Sequence, residues 1–314
     1  MLSKLNIVGI KTETTQGSAV ALAATDFFQA YDLDAQVKTE LLERNYGSTS
    51  LDPFSQVGGK KWQEIKFKAD LKTSGAAGTP LAPLSALLQA CGLTETAVGG
   101  VSVTYAPTSA AASANFYGPG KSATIKAYEN GILKVLGGAM LNCKMTLEAG
   151  KIPMLDFSGK GTYAAVTDAS FPTYTPNTTD PAIVKSATFS SHGTSLTISK
   201  LEIDLGSEIA ERPDVNSANS IVGFQITGRK PSGSMDPEAA LVATHDFYGK
   251  FAAGTLGQIS IVIGSGAGNV ITITLPKVQY GEIGKSDRNG IYTFNVPLII
   301  SRNSGDDFIS IAIT

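Results

Sequence analysis

The residues able to do chemistry are few, and none stands in a working arrangement. Gly118-Pro119-Gly120-Lys121-Ser122 ends like a phosphate-binding loop. That loop needs a glycine five residues before its second one, where this chain has Asn115. It also needs a helix to follow, whereas Ala123 to Tyr128 reads as a strand. Gly264-Ser265-Gly266-Ala267-Gly268-Asn269 joins two strand-like runs, with no helix N-terminus to hold a pyrophosphate, and reads as a hairpin tip. His192 and His245 are the only histidines. His192 lies in a Ser/Gly turn. His245 and Asp246, read as neighbours on a strand, point to opposite faces, and neither histidine has a metal-ligand partner at usable spacing. Asp306-Asp307 reads as a solvated turn. Cys91 and Cys143 fall on apolar faces and read as small buried hydrophobes, not as a disulfide framework. The sequence thus predicts no catalytic residue, no cofactor-binding residue and no metal ligand, and a protein that is not an enzyme.

The elements that carry these residues are mostly strands. Hydrophobic residues make up 42% of the 314, enough for real cores, while charged residues reach only 17% and glycine numbers 33. Low charge, many turns and much Val, Ile and Thr point to an all-β protein that hides part of its surface in an assembly. The net charge of −2 argues against tight binding to phosphates. The start of the chain, MLSKLNIVGIKTE, does not read as a signal peptide, and no stretch approaches the apolar length of a membrane helix. These features predict folding in a cytoplasm and no membrane partner.

Residues 58–92 show the pattern most clearly. Ile65, Phe67, Ala69 and Leu71 share one strand face; Glu64, Lys66, Lys68, Asp70 and Lys72 share the other. A Ser-Gly loop follows. Thr79-Pro80 then opens a short helix with Leu81, Leu84, Leu87, Leu88 and Cys91 on its apolar side, stopped by Gly92. Upstream, residues 5–24 read as an arm or edge strand, followed by strands at Phe27–Ala35 and Lys38–Arg44. Residues 45–60 read as a long loop that still carries Leu51, Phe54 and Val57, apolar side chains that are costly if left wet. Packing on another subunit and folding back on the same domain both remain open. Downstream come a strand at Ala123–Tyr128, an Asn130-Gly131 hairpin turn and a two-faced hairpin over 141–157. Pro172, Pro176 and Pro181 mark a Pro/Thr-rich linker, and strands resume beyond it.

The two sides of that linker resemble each other. Glu40–Arg44 is echoed by Glu208–Arg212. Ser74-Gly75 with Pro80 and a helix is echoed by Ser232-Gly233 with Asp236-Pro237-Glu238 and a helix. Asn130-Gly131-Ile132 is echoed by Asn289-Gly290-Ile291. The expected division is a first β-domain at 1–165, a linker at 166–185 and a second β-domain at 186–314.

Several segments carry a resemblance: Thr12-Glu13-Thr14-Thr15-Gln16-Gly17 with its Glu-x-x-x-Gly; residues 59–92; Gly137-Gly138 and the following hairpin with Leu147-Glu148-Ala149-Gly150-Lys151 and Phe157; Gly228-Arg229-Lys230-Pro231; Asp236-Pro237-Glu238; and Arg288-Asn289-Gly290-Ile291. In these the chain resembles the major tail tube proteins of long, non-contractile-tailed bacteriophages over most of its length. The resemblance implies a mainly β chain, here with two tandem tail-tube-type β-sandwich or half-barrel domains, each with one short helix. It implies a structural virion protein of the tail, assembled in the host bacterial cytoplasm, whose rings stack into the conduit for DNA ejection. The implied partner is the chain itself, with tape measure, tail terminator and baseplate proteins. Two tube domains per chain would give a trimeric, pseudo-hexameric ring; if the repeat is illusory, a homohexamer is expected. Loop 45–60 is expected to reach the adjacent ring, and DNA to pass the lumen without specific binding. A baseplate hub or distal tail ring protein of the same fold is the alternative.

Overall fold

Alternation of apolar and charged residues builds a long ladder of antiparallel strands. The computed structural model describes residues 4–314. The first half runs β1 (Asn6–Thr12), a 3-10 turn (Ala24–Asp26), β2 (Phe27–Phe28), β3 (Tyr31–Leu42), β4 (Val57–Asp70), α1 (Ala82–Ala90), β5 (Leu93–Val98), β6 (Ser102–Pro107), β7 (Ala123–Glu129), β8 (Ile132–Glu148), β9 (Met154–Tyr163) and β10 (Thr167–Asp168). The second half runs β11 (Thr188–Ser191), β12 (Thr194–Ser195), β13 (Ile198–Asp204), β14 (Ser207–Pro213), β15 (Ile221–Arg229), β16 (Ser232–Pro237), α2 (Phe247–Ala252), β17 (Gly257–Ile263), β18 (Ile271–Tyr280), β19 (Gly284–Arg288), β20 (Ile291–Ser301) and β21 (Ser310–Ile313). The chain is mainly β, with large antiparallel sheets that do not close into a barrel.

In the first half the strands lie in the order β3-β4-β9-β8-β7-β1. In the second half the order is β13-β16-β20-β18-β17-β11. Taken in chain order these are matching strands, so the sheet topology occurs twice. The register agrees as well. Asp34 opposes Lys66 and Ala35 opposes Ile65; 168 positions on, Glu202 opposes Ser234 and Ile203 opposes Gly233. Thr39 opposes Lys61 and Leu41 opposes Gly58; at the same shift, Ser207 opposes Arg229 and Ile209 opposes Ile226.

Of the three expected repeat anchors, only Glu40–Arg44 with Glu208–Arg212 fits this shift. Ser74-Gly75 forms a turn after β4, but Ser232-Gly233 lies within β16. Asn130-Gly131 joins β7 to β8, whereas Asn289-Gly290 joins β19 to β20 and so matches the turn at Ala149-Gly150. Both Asn-Gly turns have the positive φ that their residue types tolerate, which is why unrelated hairpins share the same letters.

The matched hairpins are aimed differently. β3 runs on past Lys38 and carries the β3–β4 hairpin away from the sheet. At the corresponding position Gly206 has φ +60°, and a Cβ there would stand 2.0 Å from the Lys230 carbonyl oxygen. Only glycine fits that bend. It separates β13, in the main sheet, from β14, so the β14–β15 ribbon folds back over the first half. There Ile221, Phe224 and Ile226 bury against Met140 and Trp62.

The halves are joined by β8, whose last residues pair with β13 from Lys144↔Asp204 to Glu148↔Lys200. β21 adds a second join, pairing with both β18 and β6. One apolar core runs through both halves. The Pro/Thr-rich segment between them has little regular structure, but it is docked. Asn177 Nδ2 donates to the Thr73 carbonyl at 2.8 Å, and Ala182 and Val184 are buried. β1 is buried at Val8 and Ile10 and is flanked on its outer side by the two residues of β2. The first helix begins later than its sequence predicts: Leu81 is the N-cap and Pro83, not Pro80, occupies the first turn, where a missing N–H costs nothing. Gly92, at φ +82°, ends it as expected.

Candidate assembly surfaces

The segments that carried the resemblance meet in space. The carboxylate of Glu13 is buried and accepts from Gly17 N (2.7 Å), Ser122 Oγ (2.6 Å), Thr124 Oγ1 (2.9 Å) and Gly138 N (2.8 Å). It ties the loop after β1 to β7 and to the bend in β8 at Gly137-Gly138. Gln16, three residues on, donates to the Phe224 carbonyl at 2.5 Å and accepts from Tyr117 N at 3.0 Å. The same loop therefore also holds the folded-back ribbon. Arg212 of that ribbon lies over the Tyr117 ring, 3.6 Å from its centroid.

The second-half segments converge in the same way. Arg288 pairs with Asp236 (3.2 Å) and Glu238 (2.8 Å). Asp236 also accepts from the Ser199 hydroxyl and from the backbone N–H groups of Ser199 (2.9 Å) and Lys200 (2.6 Å). Arg229 reaches back to the first half and donates to the carbonyls of Gly92 (2.8 Å) and Thr108 (2.6 Å), clamping the end of α1. Its burial lowers its pKa.

Two surfaces stand out. The first is the wet face of the sheet. Across neighbouring strands, Lys68, Asp156, Lys144 and Asp204 oppose one another in a row, from β4 through β9 and β8 to β13. Around this row Lys68 pairs with Asp32 (2.7 Å), Lys144 with Glu202 (3.1 Å) and Lys160 with Glu64 (3.6 Å). The dry side of the same strands carries Phe67 stacked on Phe157 at 5.3 Å. The charged face crosses from one half to the other without interruption and alternates in sign.

The second is the tip of the β3–β4 hairpin. Arg44 closes its base, donating to the Ser55 carbonyl (2.9 Å) and hydroxyl (2.7 Å). Tyr46 and Phe54 meet edge to face at 5.4 Å between centroids. Leu51 is fully exposed. The tip does not fold back on its own domain, which settles one of the two options left open by the sequence. Its last residues, from Val57, already belong to β4.

The groups with chemical potential are accounted for as structure. Ser122 serves Glu13. Asp307 accepts from Asn303 N, Gly305 N and both the N and Oγ of Ser304, bonds that hold its pKa down. Asp306 accepts from Ser109 N and Oγ. Cys91 and Cys143 are buried, and burial raises both thiols. Among the described residues no cluster of three or more His, Cys, Asp or Glu could hold a metal. Among the described residues no helix is long and apolar enough to cross a membrane.

The histidines depart from expectation. Asp246 is the N-cap of α2, accepting from Gly249 N, and not a strand neighbour of His245. His245 and His192, far apart in sequence, come within 6.3 Å of each other. His245 Nε2 meets Tyr280 Oη at 2.9 Å, Tyr280 Oη meets Ser191 Oγ at 2.7 Å, and Ser191 Oγ meets His192 Nδ1 at 3.1 Å. No local pattern signals such a chain, because its members come from three separate stretches: Ser191 and His192 at the end of β11, His245 before α2, and Tyr280 at the end of β18. Burial, with the charges of Lys250 and His192, pushes His245 down to about 4. A histidine that binds its proton less readily when folded loses stability as pH falls below its unfolded value, until it is itself protonated in the fold. Between pH 7 and pH 4.5 this group is expected to remove about 2 kcal/mol. His245→Gln should flatten that part of the curve in denaturant unfolding; equal acid sensitivity of both proteins would rule it out.

No curated protein matches the chain. The family described as phage tail tube protein matches residues 3–297, nearly the whole length and both halves of the duplicated sheet. The chain belongs to the phage tail tube protein family, a family of structural proteins of the virion tail that assemble with themselves and with other tail components.

Proposed function

We propose that this protein forms the hollow tail tube through which DNA is ejected into the host, as stacked rings of three copies, each giving two tube domains. The observation that carries this reading is the β8–β13 join. Within one chain, two copies of the same strand order are already linked edge to edge into a single sheet. Along this joined run, β3-β4-β9-β8-β13-β16-β20-β19, the two outermost strands each leave an edge without a backbone partner: β3, which pairs only with β4, and β19, which pairs only with β20. Repeating the internal join between chains makes a head-to-tail contact, and such contacts close into rings when the rotation between copies closes. Three chains supply six domains. The domain limits of 1–165 and 186–314, with 166–185 between them, belong to this proposal.

The alternating charged face suits the lumen. Lys68, Lys144 and Lys160 are paired with carboxylates and Lys66 has no ion pair among the described residues, so isolated basic groups but no unpaired basic stripe run along it to hold phosphates. The exposed hairpin tip suits contact with the next ring. Tape measure, terminator and baseplate proteins are the further partners, and assembly takes place in the host cytoplasm. Catalysis has no part in this function.

Electron microscopy of the purified protein tests it directly. Tubes of stacked rings with threefold symmetry, six-lobed in projection, are expected. Single rings that never stack would favour a hub at the tail end. Strict sixfold symmetry from six chains would refute the trimer, and DNA retained by tubes at physiological salt would refute the neutral lumen.

A further inference from the structure

The internal join can be transferred residue by residue. β3 corresponds to β13 at a shift of 168, as the shared registers show. β9 corresponds to β20: Phe67↔Phe157 and Ile65↔Gly159 in the first half match Met235↔Val296 and Gly233↔Leu298 in the second. On the other side of these strands, Thr146↔Met154 then matches Ser286↔Thr293. The end of β8 therefore corresponds to β19. In the first half that end pairs outward with β13; β19 has no outward backbone partner.

We propose that the outer edge of β19 in one copy pairs antiparallel with the free edge of β3 in the next, with Asp34 opposite Ser286. This rests on the ring reading above and names its contact. The same register sets Asp32 opposite Arg288 and Gln36 opposite Gly284. Inside the chain the corresponding positions are Lys200 opposite Glu148 and Asp204 opposite Lys144. The outermost pair is oppositely charged in both cases, with the signs exchanged. Asp34 and Ser286 are exposed, and Asp32 and Arg288 make only ion pairs at the surface within the chain. The β3 edge is guarded by Lys134, whose Nζ donates to the Ala35 carbonyl at 2.5 Å. A lysine at such an edge discourages indiscriminate pairing, and the carbonyl keeps a second lone pair for the intended strand. β3 is bulged between Tyr31 and Asp34, and β13 is bulged at nearly the matching place, between Ile198 and Leu201. The two strands thus share the place of their irregularity, with Asp32 of β3 at φ +51° within it.

The test is a double-cysteine variant, D34C with S286C, oxidised after assembly; the native cysteines are buried and silent. Covalent trimers are expected from the double variant and only monomers from either single variant. In the wild-type protein, amide exchange should slow on assembly in both Asp32–Gln36 and Gly284–Arg288. Three-chain rings that neither cross-link nor gain protection in these segments would overturn the pairing while leaving the ring reading intact. If the double variant does not assemble, the wild-type exchange alone decides. Wild-type protein that forms no rings would remove the reading beneath it.

Discussion

Glu13→Ala is expected to destabilise the folded subunit by about 3–5 kcal/mol. The carboxylate is buried and accepts four hydrogen bonds, two of them from backbone N–H groups, of which that of Gly138 is buried and cannot turn to water. Alanine would leave Gly138 N and the hydroxyls of Ser122 and Thr124 buried without this acceptor, free Gly17 N to solvent, and open a hole beside the bend in β8. Each unsatisfied group of this kind costs about 1–3 kcal/mol. Glu13→Gln keeps the shape but turns an amide NH2 towards other donors, and should cost about 2 kcal/mol. Urea unfolding followed through Trp62, the only tryptophan, would measure both. A loss below about 1 kcal/mol for the alanine variant would mean that the loop after β1 is held by other contacts.

Replacing Tyr46, Leu51 and Phe54 together by serine should leave rings but abolish long tubes. These side chains are exposed in the subunit, and the fold around Arg44 and Ser55 does not depend on them. If they are buried between rings, each is worth about 1.5–3 kcal/mol per contact. A ring makes several such contacts at once, so the elongation constant should fall by at least about 10³-fold. Sedimentation and micrographs of tube length give the readout. Tubes as long as those of the wild type would show that the tips serve something other than ring stacking.

Much of this was legible from the chain. The alternation at 63–71 and 141–157 gave the right strands and the right faces, because a two-faced strand writes its environment directly into every second residue. The Glu-x-x-x-Gly and Gly-Gly segments were recognised through resemblance alone; their reason, a shared buried carboxylate, needed coordinates that bring Glu13 and Gly138 together. Of the repeat anchors in the sequence, Glu40–Arg44 and Glu208–Arg212 stand at equivalent strand positions and the two later pairs do not. Turn-forming dipeptides recur wherever a turn needs positive φ, so they report local backbone and not common position. Strand register, which depends on pairing partners far along the chain, identified the true correspondence. The same distance hid the chain of His245, Tyr280, Ser191 and His192. Helix α1 was placed two residues early because Pro80 and Pro83 can each stand near a helix start, and only Leu81 as N-cap chooses between them.

The bend at Gly206 halves the number of projecting arms. Six domains built alike would offer six, but in each chain one arm lies folded over its own first half. The proposed disc of three copies would therefore carry three, one third of a turn apart, with a smooth sector between each pair. Such a disc would seat on the one below in three equivalent orientations and not in six, so the helical twist of the proposed tube would be chosen by where the arms land and not by a near-sixfold outline of its lumen.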